Sequence, residues 1–159
     1  MIEQWYVDGE YRKISELVYF DSDSTMNQSS IKKWISAMYT EQHYHLMYHF
    51  FENKYPTTFH MVMMLYKTKQ YKSFIQRLGN QPVKSLSTHL AKMDALFKLK
   101  KYEEIANDSL YMNQKRIPLQ LKQIKIRANY KLKNHQAIVD LFKTFSSDQL
   151  TPEITFIGA

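Results

Sequence analysis

The 159-residue chain has no cysteine, three glycines and four prolines. Without cysteine it has no disulfides, no thiolate metal site and no cysteine nucleophile. So little glycine and proline argues against an all-β fold built on many tight turns. No apolar run approaches the ~20 residues needed to span a bilayer, and Met1-Ile-Glu-Gln-Trp is not the start of a signal peptide. There is no glycine-rich phosphate loop, no Gly-x-Ser-x-Gly and no tight pair of carboxylates on an expected turn, so no catalytic activity of its own is expected. The expectation is a cytoplasmic protein without cofactor or metal. Its length suits one domain, set at residues 1–150, with 151–159 as a tail or the start of a following segment.

Aromatic residues make up 14% of the chain, and the net charge is +7. That charge is uneven. Residues 1–30 carry two basic and six acidic side chains, residues 31–133 carry 19 and six, and residues 134–159 carry one and three. A basic middle between acidic ends steers an acidic peptide, a nucleic acid or an anionic surface, although a solvated lysine-rich surface gives the same count.

An internal repeat organises the aromatics. A ring recurs five residues before a tyrosine or histidine: Tyr6 and Tyr11, Tyr39 and Tyr44, Tyr66 and Tyr71, Phe97 and Tyr102, Tyr130 and His135. Three residues after each of these second members comes a bulky apolar side chain: Ile14, Met47, Phe74, Ile105, Ile138. Seven before it, four units carry Ala37, Met64, Ala95 and Ala128. The spacings are 33, 27, 31 and 33 residues. Within units the period is helical, as in Ile31, Trp34, Ile35, Met38 and Tyr39. The polar hinge before each tyrosine is short, so the helices flanking it pair antiparallel. Helix punctuation falls between units. Asp21 to Thr25 with Ser29 and Ser30 offers N-caps, Gly79 to Pro82 reads as a stop and turn, and Pro118 fits a first helical turn.

Ala95-Leu-Phe-Lys-Leu-Lys-Lys-Tyr-Glu-Glu-Ile-Ala106 and, next, Ala128-Asn-Tyr-Lys-Leu-Lys-Asn-His-Gln-Ala-Ile-Val139 resemble the tetratricopeptide repeat over residues 2–145. The repeats are degenerate. Ile35, Val62, Met93 and Ile126 stand where the family has glycine, and Ile14, Met47, Phe74, Ile105 and Ile138 stand where it has a small residue. The resemblance implies an all-α, right-handed solenoid of about five antiparallel helix pairs. Its concave groove would be lined by the first helix of each pair, and its function would be protein binding as an adaptor or scaffold.

Carried over position by position, the groove would present Tyr39, Tyr66, Phe97 and Tyr130, followed by Thr40, Lys67, Lys98 and Lys131, with Ser36, Met63, Asp94 and Arg127 one turn earlier. Rings with flanking cations suit a partner segment that is both acidic and apolar. The competing reading packs the rings inside the helix pairs and leaves the lysines as ordinary surface charge. Of the positions with which some members clamp a terminal carboxylate, only Arg127 is basic here, so no such clamp is expected.

Other patterns point elsewhere. His45 and His49 have the i, i+4 spacing of metal ligands, but no glutamate follows the first histidine as a metalloprotease motif requires. Asp21-Ser-Asp-Ser resembles a calcium loop without its glycine and closing glutamate. Basic and aromatic residues interleave from Lys98 to Lys133, which suits single-stranded nucleic acid, though no signature of such a module is legible. Ile154-Thr-Phe-Ile-Gly reads as a strand or arm. As the start of a following domain it would fit a second reading, the helical accessory domain of a larger enzyme such as a polymerase or glycosyltransferase acting on an anionic polymer. The apolar residues of the first and last units, among them Trp5, Val18, Leu141 and Phe156, suggest self-association through the ends.

Overall fold

The structure, a computed structural model, describes residues 2–16, 28–51, 58–79, 83 and 85–146. The described residues form ten α-helices and no strand. In chain order these are α1 (Ile2–Val7), α2 (Tyr11–Glu16), α3 (Gln28–Thr40), α4 (Tyr44–Phe51), α5 (Phe59–Lys67), α6 (Tyr71–Leu78), α7 (Leu86–Lys98), α8 (Tyr102–Asn107), α9 (Leu119–Lys131) and α10 (His135–Phe142). Every second helix opens at the residue the repeat singles out: Tyr11, Tyr44, Tyr71, Tyr102 or His135. Helices pack mostly on sequential neighbours. The chain gathers into two compact units, Met1–Gly79 and Asn80–Ala159.

One turn is used five times. Three residues join the helices of each pair, and the middle one has a left-handed backbone: Gly9 (φ 73°), Gln42 (60°), Lys69 (62°), Lys100 (60°) and Lys133 (58°). The N–H of this residue donates to the carbonyl three residues back, and the next N–H donates to the carbonyl five residues back. In the fourth pair Lys100 N–H reaches Phe97 O at 3.0 Å and Lys101 N–H reaches Leu96 O at 2.9 Å. This Schellman arrangement satisfies carbonyls that a helix end otherwise leaves bare. Only the first pair puts glycine at the left-handed position. The other four hold a side chain there, at a cost of roughly 1 kcal/mol each.

The repeat positions form the core. Ile14, Met47, Phe74 and Ile105 are fully buried, Ile138 nearly so, and Ala37, Met64, Ala95 and Ala128 are fully buried at the same register of their helices. In the first unit α1 packs on α3 and α3 on α5, while Trp34 meets Phe51 edge-on at 5.4 Å to close α3 onto α4. The run Met61–Leu65 is buried all round α5, as expected of a helix enclosed by neighbours. In the second unit α7 packs on α9, and Ile126, Ile138 and Leu141 join α9 to α10 with Met112, Phe142 and Phe145 against them.

Some helix boundaries differ from the sequence reading. α3 begins at Gln28, so Ser29 and Ser30 lie in its first turn rather than ahead of it. Pro118 is the N-cap of α9 rather than its first residue, and Ser85, unnoticed in the sequence, caps α7 through Thr88 N–H at 3.3 Å. Gly79 ends α6 as expected. Asp21 to Thr25, Asn80 to Pro82, Val18 and the tail with Ile154 and Phe156 lie outside the described residues.

Candidate functional site on the first helices of the pairs

The turn decides where the rings go. Tyr6, Tyr39, Tyr66, Phe97 and Tyr130 each sit in the last turn of a first helix. In four pairs the ring packs on the tyrosine that opens the next helix, at 5.4 Å (Tyr6–Tyr11), 5.7 Å (Tyr39–Tyr44), 6.0 Å (Tyr66–Tyr71) and 5.2 Å (Phe97–Tyr102). These aromatic pairs fasten the two helices of a hairpin and leave the rings half-buried. Burial, and the neighbouring Tyr44 hydroxyl, push the Tyr39 hydroxyl above the usual tyrosine range. In the fifth pair the second helix opens with His135, and Tyr130 stands 55% exposed.

The expected groove residues therefore divide. In the first unit Tyr39 packs on Tyr44 and on the His60 ring (5.3 Å), and Tyr66 packs between Tyr71 and Phe74, with Lys67 exposed beside it. In the second unit the Arg127 guanidinium lies 4.9 Å from the centre of the Phe97 ring, so two of the expected residues meet across α7 and α9. Lys98, Tyr130 and Lys131 are exposed on the same two helices. A cation on a ring face is worth about 0.5–1 kcal/mol at an exposed site.

A recess opens on the first unit where α1, α3 and α5 come together, with a volume of about 630 Å³. Its walls include Ile35, the ring of Phe59, which is 56% exposed, and the rings of Tyr6 and His60. Lys32 and Lys33 stand at its edge, and Lys33 pairs with Glu3 at 2.5 Å. That pairing holds the Glu3 carboxyl below the usual range. A polar chain crosses the recess. The Ser36 hydroxyl is 3.1 Å from the Tyr6 hydroxyl and 3.4 Å from His60 Nε2. Burial pushes His60 below the usual imidazole range, so it is neutral at pH 7. Of these residues the sequence reading names Ser36, Tyr6 and Ile35, as repeat or groove positions; it passes over Glu3, Lys32, Lys33, Phe59 and His60, which α1, α3 and α5 bring together here.

The second unit holds polar groups that the sequence reading passed over. Lys125 on α9 is buried, and its ammonium donates to the carbonyls of Ile105 (2.8 Å), Ala106 (3.1 Å) and Asp108 at the end of α8. Desolvation lowers its pKa, partly opposed by Asp108. Lys122, also buried, donates to the carbonyl of Thr144 just beyond α10 and lies 4.6 Å from the Phe145 ring centre. One helix thus sends a cation to the C-terminal end of the helix before it and another to that of the helix after it, where the helix dipole favours positive charge. His89 on α7 is fully buried, 3.1 Å from the Asp108 carboxylate and 5.3 Å from the Tyr111 ring. Desolvation lowers its pKa despite Asp108.

His45 and His49 are exposed on α4, and among the described residues no group of three histidines or carboxylates is placed to hold a metal ion. No described helix is long and apolar enough to cross a membrane. No family model matches this chain, and neither a curated protein nor a solved structure matches it.

Proposed function

We propose that this chain is a protein-binding adaptor or scaffold module of the tetratricopeptide-like kind, a cytoplasmic solenoid of five helix pairs without catalytic activity. It holds an acidic and apolar segment of a partner along the face made by the first helices. The observation that carries the reading is in the second unit, where Arg127 lies over the half-buried Phe97 ring and Lys98, Tyr130 and Lys131 are exposed on the same two helices. Interfaces favour rings and arginine at their centres, and cations at their rims speed the approach of an acidic partner. Five identical turns and a shared register of buried alanine or methionine support the repeat on which the reading rests.

The test is a fluorescence-anisotropy screen of peptides in which Asp and Glu alternate with Leu and Phe. Changing Lys67, Lys98 and Lys131 together to Glu abolishes binding while thermal unfolding barely moves, since exposed charges change stability by only about 0.5 kcal/mol. Tyr66→Ala with Tyr130→Ala weakens binding at high salt as well, because ring contacts are not screened as ion pairs are. A single-stranded RNA whose affinity falls steeply and linearly with the logarithm of salt concentration, in a protein that binds none of the peptides, would refute the reading.

A further inference from the structure

We propose that the recess bounded by α1, α3 and α5 is a binding site for a carboxylate carried on an aromatic or aliphatic body, taken either as a free organic acid or as an acidic side chain beside an apolar one. The peptide source rests on the function proposed above, and the free acid does not.

Charge comes first. Lys32 and Lys33 contribute two positive charges at the edge, and Glu3 removes one of them through its 2.5 Å contact with Lys33. The remaining single positive charge complements a monoanion. A phosphate dianion would bring a second negative charge towards the Glu3 carboxylate with no cation to meet it.

Donor geometry comes next. Ser36, only 8% exposed, joins Tyr6 to His60 through its hydroxyl. Two hydroxyls and a neutral imidazole in a row can run in either direction. Running towards His60, Tyr6 donates to Ser36 and Ser36 donates to the bare Nε2. Running the other way, His60 Nε2–H donates to Ser36, Ser36 donates to the Tyr6 oxygen, and the Tyr6 hydrogen is left for the recess. A carboxylate only accepts, so it selects the second direction and takes the Tyr6 O–H. The chain needs no carboxylate of its own to polarise it, and every member keeps a partner in the occupied state. That bond, being charge-assisted, is among the stronger kinds.

The body of the ligand is set by the remaining wall. Phe59 leaves more than half its surface in water at the first turn of α5, beside Ile35 and the His60 ring, which meets Phe59 edge-on at 5.3 Å. An apolar or aromatic group laid there removes that surface from water while the carboxylate faces Lys32 and Tyr6.

The experiment is calorimetric titration of the full chain with benzoate, benzamide and inorganic phosphate, and with a blocked Asp-Phe dipeptide and its Asn-Phe counterpart. Benzoate binds, benzamide binds about tenfold more weakly for want of the charge-assisted bonds, and phosphate does not compete. Tyr6→Phe and Lys32→Gln each weaken benzoate by about three- to tenfold, whereas Lys72→Gln, on the exposed side of α6, leaves it unchanged. Lys32 is exposed, so Lys32→Gln tests the site even if Tyr6→Phe loosens α1. Benzoate binding with no response to either dipeptide supports the site with a free acid as its ligand. Asp-Phe binding that Lys32→Gln weakens and Asn-Phe does not reproduce supports the peptide source. The proposal is overturned if neither benzoate nor Asp-Phe binds at millimolar concentration, or if Tyr6→Phe and Lys32→Gln both bind benzoate as the unaltered chain does. The function proposed above fails separately, when the acidic peptides do not bind or do not respond to charge reversal at Lys67, Lys98 and Lys131.

Discussion

The first unit fills much of its interior with methionine, and the second sets buried polar groups into an aliphatic core. Of nine methionines, Met38, Met47, Met61, Met63 and Met64 are buried in the first unit, where Ser36 is the one polar residue buried among those described. The second unit buries Met93 alone among methionines, but also Thr88, His89, Lys122, Lys125 and Asn129. The hairpin turn is the same in both, so the difference lies in how one pair meets the next. Unbranched, soft methionine fills irregular gaps between helices without fixing a unique fit. In the second unit α8 spans only six residues and an eleven-residue connection follows it before α9, so the carbonyls at its end need donors from elsewhere. Lys125 supplies them, and in doing so fixes the position of α9 relative to α8. A pair joined by hydrogen bonds is more specific in geometry and less tolerant of substitution than a pair joined by methionine.

Giving each unit the other's chemistry has the largest expected effect. Lys125→Met removes the ammonium donor from one buried and two part-buried carbonyls and costs about 3 kcal/mol. Met64→Leu, at a fully buried position of the first unit, costs less than about 1.5 kcal/mol. Urea denaturation of the two variants measures both. Equal losses would mean that the ammonium contributes no more than packing.

Overpacking probes what the units share. Ala95 and Ala37 are fully buried at corresponding positions, and a leucine at either overfills a close helix crossing at a cost of about 1–3 kcal/mol. The methionine-lined first unit adjusts more readily, so Ala37→Leu costs less than Ala95→Leu when both are followed by thermal unfolding.

Acid titration separates the units by their histidines. His89 and His60 both have pKa values lowered by burial, so the unfolded chain binds protons that the folded chain refuses. The stability present above about pH 6.5 is therefore lost as the pH falls through the lowered folded values. His89 faces Asp108, Lys92, Lys125 and Tyr111, and the carboxylate offsets part of its loss. His89→Gln flattens the second unit's share of the pH dependence and leaves that of His60, read from denaturation midpoints between neutral and mildly acidic pH.

The smallest effect concerns the turn common to both units. Gln42 and Lys100 hold positive φ without being glycine. Gln42→Gly and Lys100→Gly each relieve that strain and each stabilise by about 0.5–1 kcal/mol, less whatever the unfolded chain gains in freedom. A loss at either position would show that its side chain makes a contact worth more than the strain.

Much of the helix architecture was legible because it follows local rules. A ring, a short polar hinge and a tyrosine five residues on announced each turn, and an apolar residue three further on announced the inner face of the second helix. These are spacings of one or two helical turns, which a sequence displays directly. The sites were less legible. The repeat resemblance places Tyr39, Tyr66 and Phe97 on a groove, and each also packs within its own hairpin, because the left-handed turn brings the next tyrosine onto it. Lys122, Lys125 and Asn129 share the i, i+3, i+7 spacing of a buried face, yet lysine at such positions reads as solvated charge. The burial of the two lysines depends on carbonyls exposed by the ends of α8 and α10, twenty or so residues away in the chain, while Asn129 donates to Lys125 O in its own helix.

Local pattern set the helices, their pairing into hairpins and the apolar repeat positions that are hidden, since periodicity and the turn are properties of neighbouring residues. Long-range packing brings Tyr6, Ser36 and His60 together across three helices, lays Arg127 on Phe97, and makes two lysines of α9 caps for other helices. Each of those depends on where separate helices end relative to one another. A buried cation or hydroxyl is stable only where such an ending supplies its partner, and no local pattern records that.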